Sequence, residues 1–542
     1  MKQIFLLSAL LSGFAFFAVG QPKDNYTGIE YIQLKSALAR GWNTWNTNSV
    51  LSHVLLPEAV AIDFYLKDPN GAILKNALMG RRGSANETVW PLAHAYDGSY
   101  TSLIIAWHGI KWKLQSAASG RDISFLLTAE PGSSGGEIEV YPNKIWWNRE
   151  GKIHTELNEI NFHLPSGDIH LYAVGRMPLQ EGSGKEFLSF NLKDSIFLTT
   201  LKNSNADSVI SRINNAQKGY ASNMQQYGNS AEIYQAMQNV LAWDMIYDPE
   251  GKRELTTVSR LWNTYRGGYV IFCWDNYFAA YMHSLDNKKL AYSNAIEMTN
   301  AITPSGFVPN LSASKGIQSS DRSQPPVGSF VIREIYRHYR EKWLLRELFP
   351  KLLTWNRWWV KNRDNNGFLC WGSNTFSPYL RNLDSNAHSR AGAALESGLD
   401  NSPMYDDIPF DSKTNQLLLA DVGLMSLYIM DCDALADIAH ELGRQDIVQE
   451  LQLRAGKYRR NLAKLWDEKT GMYLNKRLDN GQFSAVLTPT NFYPLLARVP
   501  SSAQAKRMVK DHLLNPDEFW GGYAIPSVSY NDPDYGNDYW RG

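Results

Sequence analysis

The apolar residues of this chain repeat with one period before about residue 208 and with another after it. That switch constrains the fold more than any other feature. In the first part, segments such as "AVAIDFYLKD" (59–68), "TSLIIAWHGIKWKL" (101–114), "RDISFLLTAEP" (121–131) and "GDIHLYAVG" (167–175) are rich in β-branched and aromatic residues. Gly, Pro, Asn and Ser clusters punctuate them, including "DPNG" (68–71) and "PGSSGG" (131–136). Short strands separated by turn signals predict a β-sandwich. From residue 230 onward apolar residues recur at helical spacing instead. A chain of 542 residues also exceeds one ordinary core. The fold class expected is multidomain β + α: a signal peptide at 1–20, an N-terminal β-sandwich at 21–205, a linker helix at 206–229, and a helical domain at 230–542.

The clearest helix is 421–442. Met425, Tyr428, Ile429, Cys432, Leu435, Ala439 and Leu442 make an apolar stripe, Asp421 starts it and Gly443 stops it. Further helices are expected at 233–246, 274–284, 289–301, 328–340, 344–361, 446–465 and 503–513. Long helices joined by variable loops suit an α/α toroid, and no short repeat signals a solenoid.

The N-terminus reads as a processing signal. Met1 and Lys2 precede an apolar run from Ile4 to Val19, and Ala18-Val19-Gly20 supplies small residues before Gln21. The run is short for a membrane span, which needs about 20 apolar residues. The protein is therefore expected to be periplasmic or secreted, with no membrane association after cleavage. Lys+Arg and Asp+Glu both number 54, so nothing electrostatic favours nucleic acid as a partner. Cys273, Cys370 and Cys432 are too few and too scattered for a disulfide framework. The 18 Trp residues serve either as core or as flat platforms for sugar rings.

Four loop segments carry the rare residues. "ALESGLDNSPMYDD" (394–407) places Glu396 and Asp400 four apart among Gly, Ser and Pro. Hydrolysis of a glycosidic bond needs one carboxyl to protonate the leaving oxygen and another to activate water or attack carbon. A carboxyl held among apolar groups there would have a raised pKa; the alternative is a solvated acidic loop. "GGYVIFCWDNYFAAYM" (267–282) sets Asp275 in an aromatic run, where a lone carboxylate must be paired or functional unless it caps a helix. "DRSQPPVGS" (321–329) offers Arg322 and Gln324 as donors to sugar hydroxyls, or forms only a loop ahead of a helix. "EFWGGYAIPSVSYNDPDYGNDYWRG" (518–542) combines Trp520, Tyr523 and Trp540 with the forked donor Arg541.

In this order, "FCWDNYF", "SQPPV", "ESGLDNSP" and "YWRG" resemble glycoside hydrolase family 63, the family of processing α-glucosidase I and its bacterial relatives. Similar pieces occur in trehalases and glucoamylases. The resemblance covers 230–542 and implies an (α/α)6 toroid and an inverting mechanism. It implies that Asp400 is the general acid; from the loop itself, Glu396 is the next candidate. It places Trp274 and Asp275 in the sugar pocket and Trp540 and Arg541 along the site. Arg322, Gln324, Glu396 and Trp520 complete the substrate-binding set. The family's general base is a Glu beyond the "YWRG" segment. It is therefore expected beyond Gly542, and no residue of this sequence is assigned to it.

About nine helical segments are legible where a closed toroid needs twelve. The helical domain is accordingly expected to be incomplete at its C-terminus, and this chain by itself inactive. No cofactor is predicted. "RDNNGFLCWG" (363–372) is two residues short of a DxNxNG-like Ca²⁺ loop, and a hard cation wants six or more oxygen ligands; Ca²⁺ stays open rather than predicted. The expected activity is exo-acting inverting hydrolysis of α-linked glucosides or related oligosaccharides, by a protein monomeric when complete. The alternatives are a non-hydrolytic carbohydrate-binding protein and a trehalase- or mannosylglycerate hydrolase-like enzyme on the same toroid.

Overall fold

The computed structural model describes residues 28–38, 43–55, 58–81, 87–145, 150–179, 186–248, 251–266, 268–374, 386–522 and 525–542; all counts below refer to these. The leader expected at 1–20 and Tyr523 lie outside them.

The strand-rich part forms two antiparallel sheets. The strands Asn43–Trp45, Ser52–Leu55, Val60–Lys67, Glu137–Lys144 and Leu188–Asn191 lie side by side in one, with Ile73–Leu74 flanking Val60–Lys67. The other has eight strands and runs from Lys152–Thr155 at one edge to Thr88–His94 at the other. Both sheets bury one face in a common core: Phe64 of the first meets Phe125 of the second edge to face at 5.2 Å. Alternating burial along Ile169–Val174 shows the period-2 pattern at work. The 101–114 run is not one strand. It folds as a hairpin, Tyr100–Trp107 against Ile110–Ser119, with Trp107 opposite Ile110. His108 and Gly109 both take positive φ (49° and 78°), the two-residue turn whose twist suits a hairpin.

Two elements depart from the sequence expectation. Ile29–Leu38 is a helix, not part of the sandwich. Tyr31 and Leu34 pack on the helical core, and Lys35 Nζ donates to the Gly251 carbonyl at 2.8 Å. Ala206–Gln225 is more than a linker. Asn205 and Ser208 cap it reciprocally, and it buries Val209, Ile213, Tyr220 and Met224 against the eight-stranded sheet.

The helical part is built from Ala231–Asp244, Cys273–His283, Lys288–Asn300, Gly328–Tyr339, Lys342–Arg363, Val422–Glu441, Gln445–Leu462 and shorter turns. Cys273–His283 packs on Lys288–Asn300 and Gly328–Tyr339; Val422–Glu441 packs on Gly328–Tyr339, Lys342–Arg363 and Gln445–Leu462. Val422–Glu441 shows more than an apolar stripe: Leu424, Leu427, Ala434 and Ile438 are buried as well. A helix buried over most of its length belongs inside a core, and only Asp437 and His440, toward its C-terminal end, are exposed. Its carboxylate Asp431 is satisfied by the Ser329 N–H and by Asn356 Nδ2 at 2.7 Å. Cys273, Cys370 and Cys432 are buried free thiols. Among the described residues no helix is long and apolar enough to cross a membrane.

Candidate functional site

Loops and helix residues line a cavity of about 680 Å³. Its lining includes Trp274, Asp275, Arg322, Gln324, Asp400 and Trp540. Six of the nine residues singled out from sequence therefore come together, although the four segments that supply them are far apart in the chain.

The loop of Asp400 owes its shape to what flanks it. The helix Arg390–Glu396 is capped by Ser389 and ends at Gly398, which has φ +72°. A Cβ on Gly398 would stand 2.6 Å from Trp274 Cζ2, so both the left-handed backbone and the close approach require glycine. The chain then turns on two bonds, Leu399 N–H to Ser397 Oγ (3.0 Å) and Ser402 N–H to the Leu399 carbonyl (3.0 Å). Asp400 is presented beside the Trp274 ring as a result. Burial raises its pKa, opposed by a hydrogen bond from Tyr539 and by the charge of Arg322. Asp275, near the N-terminus of Cys273–His283, is pushed up to about 6, first by burial, with the Asp400 charge adding to it. The charge of one carboxyl thus disfavours ionisation of the other across this cavity, Asp400 acting on Asp275.

The polar wall is held from behind. Gln324 Oε1 accepts from the Trp274 N–H at 3.2 Å, and the Asn310 N–H bonds the Arg322 carbonyl at 3.1 Å. Arg322 is itself gripped by Asp321 at 2.8 and 3.0 Å. The last described segment is tied to the Asp400 loop through Asn401. Asn401 Nδ2 donates to the Asp538 carbonyl (3.1 Å), and its Oδ1 accepts from the Trp540 N–H (2.9 Å). This brings the Tyr539 hydroxyl onto Asp400, and burial followed by the Asp400 charge pushes that phenol up to about 12.

Three of the nine residues stand elsewhere. Glu396 does not line the cavity. It is fully buried, accepting Arg363 Nε at 2.6 Å and Nη2 at 2.9 Å, the Ser323 N–H at 2.9 Å and the Gly372 N–H at 2.7 Å. Four donors consume its acceptor capacity, so it braces the loops from beneath. Arg541 turns away onto Asp406 at 2.8 and 2.9 Å. Trp520 is half exposed and outside the lining. Gly542, beyond which the resemblance puts the general base, is outside the lining too. Its carbonyl accepts the Ser527 N–H at 2.9 Å and the Ser527 hydroxyl at 2.7 Å. Most buried Trp residues, including Trp112, Trp355 and Trp359, are core; the cavity uses Trp262, Trp274 and Trp540. In the 363–372 segment Asp364 caps the turn at the Gly367 N–H and pairs with Lys457 at 2.8 Å.

Sequence reasoning passed over Tyr539, Asn401, Asn310, Trp262, Tyr265 and Arg266. Tyr539 opens the "YWRG" motif, and Asn401 follows Asp400 directly, so both had a signal. The other four had none, because their part in the cavity follows from packing between segments.

A buried carboxyl here shares its lining with indole, amide, guanidinium and carboxylate groups, the mix of apolar surface and a few polar groups that small-molecule sites use. The sequence model of the mannosylglycerate hydrolase MGH1-like glycoside hydrolase domain matches residues 268–542, half of the chain, and the chain belongs to that family. The resemblance to glycoside hydrolase family 63 is borne out at this level. Mannosylglycerate hydrolase MGH1 of Selaginella moellendorffii is 28% identical over 274 residues, 41% of this chain and 52% of that one. A mannosylglycerate hydrolase of Thermus thermophilus is 25% identical over 280 residues, 41% of this chain and 61% of that one. Among solved structures, a family 63 mannosylglycerate hydrolase of Thermus thermophilus in complex with glucose aligns over 50% of this chain and 76% of its own, at 22% identity and a TM-score of 0.41. The chain spans about half the length of the first curated relatives it matches. Those relatives are named mannosylglycerate hydrolases rather than α-glucosidases.

Proposed function

We propose that the protein is an exo-acting, inverting glycoside hydrolase of α-linked mannosides or glucosides, with Asp400 as the general acid. The observation that carries this reading is the Asp400 carboxyl, its pKa raised by burial, standing in a cavity lined by Trp274 and Trp540. A raised pKa keeps the proton on the acid until the glycosidic oxygen takes it. Trp274 and Trp540 offer flat faces to the C–H side of a pyranose, and Asp275 and Gln324 offer partners to its hydroxyls. Asn401 and Tyr539 hold the acid in place. The mannoside is placed first because the matching relatives are named for mannosylglycerate; α-glucosides follow from the resemblance to family 63.

Inversion also needs a base, separated from the acid by roughly 6.5–9.5 Å to leave room for water. The resemblance places it beyond the "YWRG" segment. Turnover by residues 21–542 alone would hand the role to Asp275, the other carboxyl lining the cavity. In the natural protein, Asp400→Asn is expected to cut turnover by about 10²–10⁴-fold while calorimetric sugar binding survives. Near-normal turnover would remove Asp400 from the role. Sugar binding without hydrolysis in the wild type would favour a carbohydrate-binding protein. Export is part of the same proposal: N-terminal sequencing should find Gln21 at or near the mature end, and an intact Met1 would contradict it.

A further inference from the structure

Part of the cavity's lining does not come from the matched domain. Trp262, Tyr265 and Arg266 supply that part, and all three precede residue 268, where the family match begins. They sit on the short helix Arg260–Arg266, and this helix is fastened to the strand-rich part. Arg260 is buried. Its Nε donates to the Trp243 carbonyl, its Nη1 to the Asn46 carbonyl at 2.5 Å, and its Nη2 to the Trp45 carbonyl at 3.4 Å. Trp243 and Trp45 are themselves members of the sandwich core, their rings 6.0 Å apart. Thr264 Oγ1 reaches Asn48 Oδ1 at 3.4 Å, and Leu261 packs beneath Gly80. On the other side Asn263 bonds Thr257 and accepts the Val270 N–H at 3.0 Å. The helix is thus a rigid bracket between the sandwich and the Asp400 cavity.

What the bracket presents is specific in kind. Trp262 is fixed edge to face against Phe272 at 5.3 Å. Tyr265 stands 76% exposed at the cavity, a large aromatic kept in water where a core would have covered it. Arg266 brings a forked donor to the same wall, and Gln318 and Ser319 add amide and hydroxyl groups to the lining. Exposed aromatic faces beside forked and amide donors suit a sugar ring, with its apolar C–H face and its rim of hydroxyls. The sugar that is cleaved is assigned to Trp274, Asp275 and Asp400. The wall on 260–266 is then left for the group that departs.

We infer that the helix Arg260–Arg266 is the leaving-group subsite, and that it selects substrates whose leaving group is itself a pyranose. Tyr265 and Trp262 act as specificity-determining residues, and the strand-rich part fixes their position. This rests on the proposed hydrolase reading for the order of the two subsites.

The test uses the natural protein, Tyr265→Ala and Trp262→Ala. The probes are methyl α-mannoside and methyl α-glucoside against α-mannosyl- and α-glucosyl-disaccharides, each measured by calorimetric binding and by kcat/KM. Tyr265→Ala is expected to weaken disaccharide binding and kcat/KM by about three- to tenfold, as loss of one stacked aromatic face implies. The methyl glycosides should change less than about twofold, a split that a merely structural role would not produce. Trp262→Ala should move in the same direction. Equal losses on both probe types, or none on either, would overturn the subsite. Disaccharide-selective binding that depends on Tyr265 but brings no hydrolysis would uphold the wall and remove the hydrolase reading. Hydrolysis indifferent to both substitutions would do the reverse.

Discussion

Removing the Glu396 carboxylate is expected to damage the fold rather than the chemistry. Glu396 and Arg363 are both fully buried and joined by two hydrogen bonds. The same carboxylate takes the N–H groups of Ser323 and Gly372, which belong to two different loops. In Glu396→Ala the Arg363 guanidinium keeps Asn374 and two backbone carbonyls as acceptors but has no counter-charge. Breaking a buried pair in this way costs about 3–5 kcal/mol. Each orphaned amide adds to this loss where water does not reach it, so a loss of at least about 4 kcal/mol is expected. The assay is urea unfolding followed by far-ultraviolet circular dichroism, which reports the helical part. With a urea slope of about 1–3 kcal/mol per M, the midpoint should fall by at least about 1 M. The double variant Arg363→Met/Glu396→Met should lose less than the sum of the two single changes, because no charge is left unpaired. A midpoint within about 0.3 M of wild type, together with collapsed turnover, would refute the reasoning and return Glu396 to the substrate.

Two further outcomes follow from named groups. Tyr539→Phe removes a hydrogen bond that favours the ionised form of Asp400; the pKa of Asp400 should rise, and the alkaline limb of the kcat/KM profile should move to higher pH, whereas an unchanged or lower limb would contradict the contact. His53, His94 and His283 are held at about 3 by burial, from an ordinary value of 6.5. The unfolded chain binds protons there that the native chain does not. Stability should therefore fall as pH drops from about 6.5 toward 3, by up to about 1.4 kcal/mol per pH unit for each histidine, and a flat urea midpoint across that window would speak against it.

The parts of the fold that were legible in sequence are those where local pattern and burial agree. Asp421 caps Val422–Glu441 through the Leu424 N–H at 2.8 Å, as its place before an apolar run implies. The burial of that helix beyond its apolar stripe was not legible, since it depends on what packs on the far side. Gly398, Ser402 and Pro403 mark the loop that carries Asp400, but pattern alone leaves that loop open to a solvated acidic reading, and only the four ordered motifs single Asp400 out. Glu396, four residues earlier, carries the same signal and a different role. In the structure the presence of Arg363, thirty-three positions away in sequence, distinguishes them. The hairpin at His108-Gly109 was hidden because two strands read as one apolar run. The helix Arg260–Arg266 left no trace of its role, because its link to the cavity runs through Arg260 and the carbonyls of Trp45, Asn46 and Trp243. Backbone acceptors leave no mark on side-chain pattern.

The most direct measurement of the central claim is the configuration of the first sugar released. Proton NMR of the natural protein acting on an α-mannoside or α-glucoside resolves the anomers before they equilibrate. With Asp400 as acid and water attacking from the opposite face, the β-anomer should appear first and the α-anomer only later by mutarotation. Release of the α-anomer first would contradict the account, because retention requires a nucleophile in place of a base.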